Sequence, residues 1–141
     1  MSRKYELSVT SELDKLARIG QFITDTTRAL GLSGDEAFAV EMAVDEACAN
    51  VIEHAYNGKP DGTIDVTCYL EEDRLVVTIR DHGEPFDPAS VPRPDTACPL
   101  KDRELGGLGL HFMRTLMDEV RFEFDTPEGN VLRMAKVRHS L

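Results

Sequence analysis

The sequence predicts an α+β fold, a mostly antiparallel sheet with helices on one face, and three observations carry that prediction. Apolar and polar residues alternate in five short stretches, the signature of half-buried strands. Two stretches near the N-terminus instead place apolar residues every three or four positions, as amphipathic helices do. The last four strands also fall in two adjacent pairs, giving the order β-α-α-β-β-loop-α-β-β, which suits an antiparallel sheet layered with helices.

Tyr5, Leu7 and Val9 make the first strand. Ser11, three positions before Asp14, reads as a capping-box-like start for a helix carrying Leu13, Leu16, Ile23 and Leu30, which Gly31 closes. Ser33 and Glu36 form a second such start. The helix they open buries Ala37, Val40, Val44, Ala47 and Val51 and runs to about Tyr56, where Asn57-Gly58-Lys59-Pro60 breaks it. Ile64, Val66, Cys68 and Leu70 form the next strand, and Leu75, Val77 and Ile79 the one after, with Glu71-Glu72-Asp73 as the turn. Five of the seven prolines lie within residues 85 to 99, which excludes a regular helix or an interior strand there. Residues 82 to 105 are therefore a long loop, a functional element in most small domains. Gly106-Gly107-Leu108-Gly109 ends it, Leu110 to Met117 forms a helix, and Val120, Phe122 and Phe124 pair with Val131 to Val137.

A length of 141 residues suits one domain, 1–141, and 41% hydrophobic with 30% charged residues suits a packed core. Sixteen Lys and Arg against twenty-six Asp and Glu leave a net charge of −10, which disfavours direct nucleic-acid binding. No apolar run reaches the roughly 18–20 residues of a membrane span. The N-terminus turns polar too soon for a secretion signal, so a cytoplasmic protein without membrane contact is expected. Cys48, Cys68 and Cys98 form no CxxC pair, so neither a zinc knuckle nor a disulfide framework is indicated. Cys48 and Cys68 read as small core residues.

Three places depart from the apolar-in, polar-out pattern. Glu46 and Asn50 lie one helical turn apart, with Glu53 on the same face: a base beside a hard oxygen ligand suits Mg²⁺ and a proton to be taken. The same pair also suits a plain solvated helix face. Asp81 shares the parity of Leu75, Val77 and Ile79 and so points into the buried side, with Gly83 beside it. That is either an acceptor for the amino group of a purine, or a turn in which Asp81 caps local backbone. Gly106-Gly107-Leu108-Gly109 opens a helix, which makes a phosphate cradle of its freed N–H groups or an ordinary glycine turn. No Walker A pattern and no set of β3 lysine, HRD and DFG occurs. Together the three places suggest base-plus-Mg²⁺, adenine and phosphate, in that order.

Asp45-Glu46-Ala47-Cys48-Ala49-Asn50-Val51-Ile52-Glu53-His54-Ala55-Tyr56 resembles the N box of the GHKL ATPase superfamily, in the version of bacterial anti-sigma factor serine kinases. Asp81-His82-Gly83-Glu84-Pro85-Phe86-Asp87 resembles its first glycine box, and Gly106-Gly107-Leu108-Gly109-Leu110-His111-Phe112 its second. The resemblance covers nearly the whole chain and implies a Bergerat-type ATP-binding sandwich. It implies Glu46 as general base, Asn50 as the Mg²⁺ holder, and Asp81, Gly83 and Phe86 as ATP-binding residues. Residues 88 to 105 would be the ATP lid, Gly107 and Gly109 its phosphate-binding hinge, and Lys101 and Arg103 on it reach toward the γ-phosphate or stay solvated. The Gly-Thr step usual on the last strand is here Gly129-Asn130, and Asn130 would take over the hydrogen bonding.

The resemblance further implies an ATP-dependent serine/threonine kinase that phosphorylates a small anti-sigma factor antagonist protein and sequesters a sigma factor, as a homodimer. A histidine kinase would need an upstream phosphorylatable histidine, which the first 32 residues lack, and a gyrase or chaperone would continue into a transducer domain. The alternative is a nucleotide-gated binding module that regulates its partner by contact, without catalysis.

Overall fold

The alternating stretches become five strands. In the computed structural model of the chain, which describes residues 3–85 and 107–139, they are β1 (Lys4–Thr10), β2 (Thr63–Glu71), β3 (Arg74–Asp81), β4 (Glu119–Thr126) and β5 (Gly129–Val137). Three helices accompany them among the described residues: α1 (Lys15–Ala29), α2 (Gly34–Asn50), which continues as a π-helical turn over Val51–Ala55, and α3 (Gly107–Leu116). The strands join antiparallel in the order β1-β2-β3-β5-β4, so the α+β layering read from the sequence holds.

One face of the sheet carries the core. Ile64, Val66 and Cys68 of β2, Leu75, Val77 and Ile79 of β3, and Met134 of β5 are buried against Ile19 and Ile23 of α1, Val40, Val44 and Cys48 of α2, and Met113 of α3. Each such side chain contributes about 1.5–3 kcal/mol by leaving water. The opposite face is polar and carries ion pairs, among them Arg74–Glu119 at 2.9 Å and Arg80–Asp65 at 3.2 Å. Pairs this exposed are worth about 0–1 kcal/mol each, so the helix-side packing decides the fold. Burial pushes the Cys68 thiol up to about 12 and raises that of Cys48, so both are inert core residues.

The two helix starts, spelled alike, behave differently. Ser33 accepts from the Glu36 N–H at 3.2 Å while Glu36 accepts from the Ser33 N–H at 2.9 Å, the capping box as expected. The start expected at Ser11 is not one: Asp14 is the N-cap, without a side-chain cap bond, and α1 begins at Lys15. The buried Ser11 hydroxyl instead donates to the Lys59 carbonyl at 2.5 Å and accepts from the Gly62 N–H at 2.9 Å, pinning the loop before β2. Leu13, expected on the buried face, precedes the helix and is 62% exposed.

Glu36 also holds the end of the chain. Its other oxygen accepts from the His139 N–H at 2.8 Å and lies 3.0 Å from His139 Nδ1, while Arg138 donates to the Leu30 carbonyl at 3.0 Å. The backbone N–H groups of His139 and Ser33 hold the Glu36 carboxyl down at about 2. A carboxyl depressed in the folded state stabilises fully above its unfolded value, and that contribution fades as pH falls. The wild type should therefore lose stability between roughly pH 4.5 and pH 2, and Glu36→Gln should flatten that slope in acid-dependent thermal melts. Ser11→Ala should lower stability by about 1–3 kcal/mol in denaturant titrations, since it removes both hydrogen bonds of a buried hydroxyl.

Candidate functional site

The sheet register assembles one wall of the site. Asp81 stands directly opposite Ile64 on one side and Asn130 on the other, so the side chains of Asp81 and Asn130 emerge together on the helix face. Both are 5% exposed. Asp81 Oδ1 accepts from the Gly83 N–H at 2.9 Å and from Asn130 Nδ2 at 2.9 Å, and Nδ2 also donates to the Gly83 carbonyl at 3.0 Å. Since both of those partners are acceptors, the carboxamide nitrogen is the group that must face them. Among the described residues no donor meets Asp81 Oδ2.

The end of α2 builds the floor. The helix widens to a π turn, closed by Tyr56 N–H on the Val51 carbonyl at 3.0 Å. π turns of this kind recur at functional sites. The turn leaves the Ala55 carbonyl to accept from the Glu84 N–H at 2.8 Å. A Cβ on Gly83 would lie 2.4 Å from that carbonyl oxygen, so only glycine fits. The Tyr56 hydroxyl is saturated: it accepts from the His82 N–H at 2.8 Å and the Thr63 N–H at 3.2 Å and donates to the Thr63 carbonyl at 2.6 Å. The ring rests on Gly62, where a Cβ would meet it at 2.4 Å. Gly129, with φ of +97°, lets β5 approach so closely that a Cβ there would lie 2.4 Å from the Asp81 carbonyl oxygen.

Beside Asn130 opens a small cleft lined by Ala47, Asn50, Met113, Phe122, Phe124 and Asn130, among others. The rings of Phe122 and Phe124 stack at 5.6 Å on its apolar wall. At its other end Asn50 is nine-tenths buried, and among the described residues no group meets its carboxamide. Glu46, one turn earlier, is half-buried. Burial raises its pKa above the usual carboxylate value, the charges of Asp45 and Glu53 add to the rise, and His54 opposes it. Gly107 and Gly109 fall in the first turn of α3, where backbone N–H groups lack helical partners. Phe86, Lys101, Arg103 and the expected lid over 88 to 105 lie outside the described residues.

The structure thus brings Asp81, Gly83 and Asn130 into hydrogen-bonded contact and puts Asn50 on the same cleft. It adds roles the sequence reading passed over: for Tyr56, taken there as the end of a helix and of the N-box stretch, and for Phe122 and Phe124, taken only as strand residues. A polar-tipped aromatic next to a helix break was the available signal for Tyr56. Phe122 and Phe124 carried none beyond their alternation.

A buried aspartate followed by a closely packed glycine, and a helix headed by glycines, are features that nucleotide-binding α+β domains use. The model of the histidine kinase-like ATPase domain matches residues 9–136, and the chain belongs to this family, in its serine-protein kinase RsbW branch. The serine-protein kinase RsbW of Halalkalibacterium halodurans is 33% identical over 135 residues, 93% of this chain and 81% of that protein. That of Bacillus subtilis is 34% identical over 122 residues, 84% of this chain and 76% of that protein. Among solved structures, that of the RsbU and RsbW domains of Rv1364c from Mycobacterium tuberculosis superposes with a TM-score of 0.71. It covers 99% of this chain and 33% of that one at 14% identity, a likeness of fold. Among the described residues no helix is long and apolar enough to cross a membrane.

Gly83→Ala tests the closeness of the floor. The colliding atoms are backbone and cannot swing away, so residues 82–84 must shift, at about 1–3 kcal/mol. The amides of His82 and Glu84 should exchange faster in hydrogen-exchange measurements, and unchanged protection would contradict the packing described.

Proposed function

We propose that this chain, as one ATPase domain over residues 1–141, is an ATP-dependent protein serine/threonine kinase acting as an anti-sigma regulatory factor. Its phosphoacceptor is a hydroxyl on a small antagonist protein, and in its other state it sequesters a sigma factor, as a homodimer in the cytoplasm. One observation carries the reading: a half-buried Glu46 of raised proton affinity lies one helical turn from a buried Asn50 with no protein partner among the described residues. A contact-only module gives no reason for that pairing.

The residues fit both groups that the reading requires. Asp81 Oδ2 is an acceptor for the adenine amino group, Gly83 lets the ring lie close to the backbone, and the N–H groups of Gly107 and Gly109 face the phosphates. Phe86, Lys101 and Arg103 complete the proposed ATP contacts from outside the described residues. The described residues hold no cluster of three or more His, Cys, Asp or Glu suited to a metal. Mg²⁺ needs only one or two protein oxygens when phosphates supply the rest; Asn50 would hold it, and it would supply charge neutralisation along the phosphates.

Glu46 takes the proton of the attacking serine or threonine hydroxyl. The hydroxyl oxygen forms its bond to the γ-phosphorus as the bond to the β–γ bridging oxygen breaks; ADP leaves, and the proton remains on Glu46. Such transfers rest on positioning and charge stabilisation, so the base need only stand at the right place with a suitable pKa. A raised pKa serves that need, because it strengthens the base.

Mixing the protein with its antagonist and labelled ATP should transfer label to the antagonist. Glu46→Gln should lower that transfer by about 10²–10⁴-fold while ATP still binds by calorimetry. The acid limb of the wild-type rate should lie above the ordinary glutamate value of 4.5, because protonated Glu46 cannot act as base. Asp81→Asn should abolish ATP binding itself. Label transfer that survives Glu46→Gln would remove the base assignment.

A further inference from the structure

We propose that Tyr56 is a positioning residue: its hydroxyl ties the end of α2 to the place where the chain leaves β3, and so sets the fraction of molecules whose site is assembled for a nucleotide. The inference rests on the nucleotide reading and adds to it a residue that acts through the segment it holds.

Three successive residues grip that segment. The Ala55 carbonyl accepts from the Glu84 N–H at 2.8 Å, and the Tyr56 hydroxyl from the His82 N–H at 2.8 Å. Asn57 Nδ2 adds a longer bond to Glu84 Oε2, at 3.4 Å. Gly83 lies between the gripped residues, pressed against the Ala55 carbonyl with no room for a side chain. Of these three ties, that of Tyr56 also reaches the sheet. Its hydroxyl accepts from the Thr63 N–H at 3.2 Å and donates to the Thr63 carbonyl at 2.6 Å, at the first residue of β2. Ile64 and Asp81 form the last β2–β3 pair, so Thr63 and His82 are the residues just beyond it. The hydroxyl therefore caps the open end of that ladder. The end of α2, the start of β2 and the exit from β3 meet at one oxygen.

A phenolic hydroxyl has one proton to donate and two lone pairs, and here main-chain groups engage all three. It has no hydrogen bond left for a ligand. The place of Tyr56 itself is fixed by other means: its N–H closes the π turn on the Val51 carbonyl at 3.0 Å, its carbonyl accepts from the Lys59 N–H at 2.9 Å, and its ring rests on Gly62. Removing the oxygen alone thus leaves the tyrosine's position intact and releases His82. Molecules in which residues 82–84 part from α2 then compete with assembled ones. A ligand that binds only the assembled form loses apparent affinity in proportion to the assembled fraction, while the saturated complex is that of the wild type. Glu46 and Asn50 precede the π turn on α2, so the transfer step at saturation is untouched.

The test is Tyr56→Phe, which keeps the ring on Gly62 and removes one oxygen. Calorimetry with Mg²⁺ should show ATP and ADP both bound about tenfold more weakly, since the change lies in the protein's own equilibrium. In label transfer to the antagonist, KM for ATP should rise by the same factor while kcat stays within about twofold of the wild type. The His82 and Glu84 amides should exchange faster in the free variant and regain wild-type protection with saturating ADP and Mg²⁺. A hydroxyl that serves folding alone would lower the Tm and the active fraction, so kcat would fall at unchanged KM and affinity; that result overturns the proposal. Unchanged affinity and exchange overturn it as well. Should the wild type bind ATP yet transfer no label, the kinase reading fails, and the calorimetric and exchange results decide this inference by themselves. Binding of neither nucleotide by the wild type would sink the nucleotide reading and this inference with it.

Discussion

The backbone at Gly83 lies so close to the Ala55 carbonyl that no side chain fits between them, and the rest of the site hangs on that contact. It joins the end of α2 to the end of β3 by a main-chain hydrogen bond, the Glu84 N–H on the Ala55 carbonyl, beside which the Tyr56 side-chain hydroxyl accepts from the His82 N–H. Main-chain contacts have no rotamers to lose and little room to yield. The distance between the helix that carries Glu46 and Asn50 and the end of β3 that carries Asp81 is therefore set largely by backbone geometry. The π turn is what makes this possible, because a helix ending in ordinary α geometry would present its last carbonyls along its own axis.

Legibility in the sequence followed the range of each interaction. The Ser33–Glu36 capping box was readable because both partners lie within one turn and nothing else competes for them. The same spelling at Ser11 and Asp14 misled, because the Ser11 hydroxyl finds partners at Lys59 and Gly62, far along the chain. A local rule holds only where no distant group offers a better bond. Asp81 was readable by parity, since strand alternation alone assigns it to the buried side. Its bond from Asn130 was not readable from periodicity, because it depends on which residue of β5 stands opposite, and register is a property of two strands together. Gly129-Asn130 could be noticed as a departure from a pattern; only the pairing turns it into a pair of hydrogen bonds.

The electrostatics of the site pose a problem that its chemistry must answer. The chain carries a net charge of −10, and Glu46 has two further carboxylates, Asp45 and Glu53, near enough to raise its proton affinity. A triphosphate entering this surroundings is repelled unless its own charge is screened. The protein supplies little of that screening on the α2 side: Asn50 is neutral, and His54 opposes the rise at Glu46 without cancelling it. On the proposed reading, binding would draw on contacts indifferent to the acid face, namely the apolar wall of Phe122 and Phe124, the Asp81 carboxylate and the main-chain N–H groups at the head of α3. A cation held with the phosphates would supply the remainder.

This division of labour also orders the energetics along the cleft. On the proposed reading, the base would meet buried groups whose geometry hydrogen bonds already fix, Asp81 and Asn130 among them. At the other end the raised proton affinity of Glu46 reflects burial and carboxylates that oppose one another. Selectivity for the base and reactivity of the phosphate would then be governed by different physics. The Ala55–Glu84 hydrogen bond joins the helix end that follows Glu46 and Asn50 to the residues that follow Asp81, so a base held at Asp81 would set the reach of the phosphates toward Glu46.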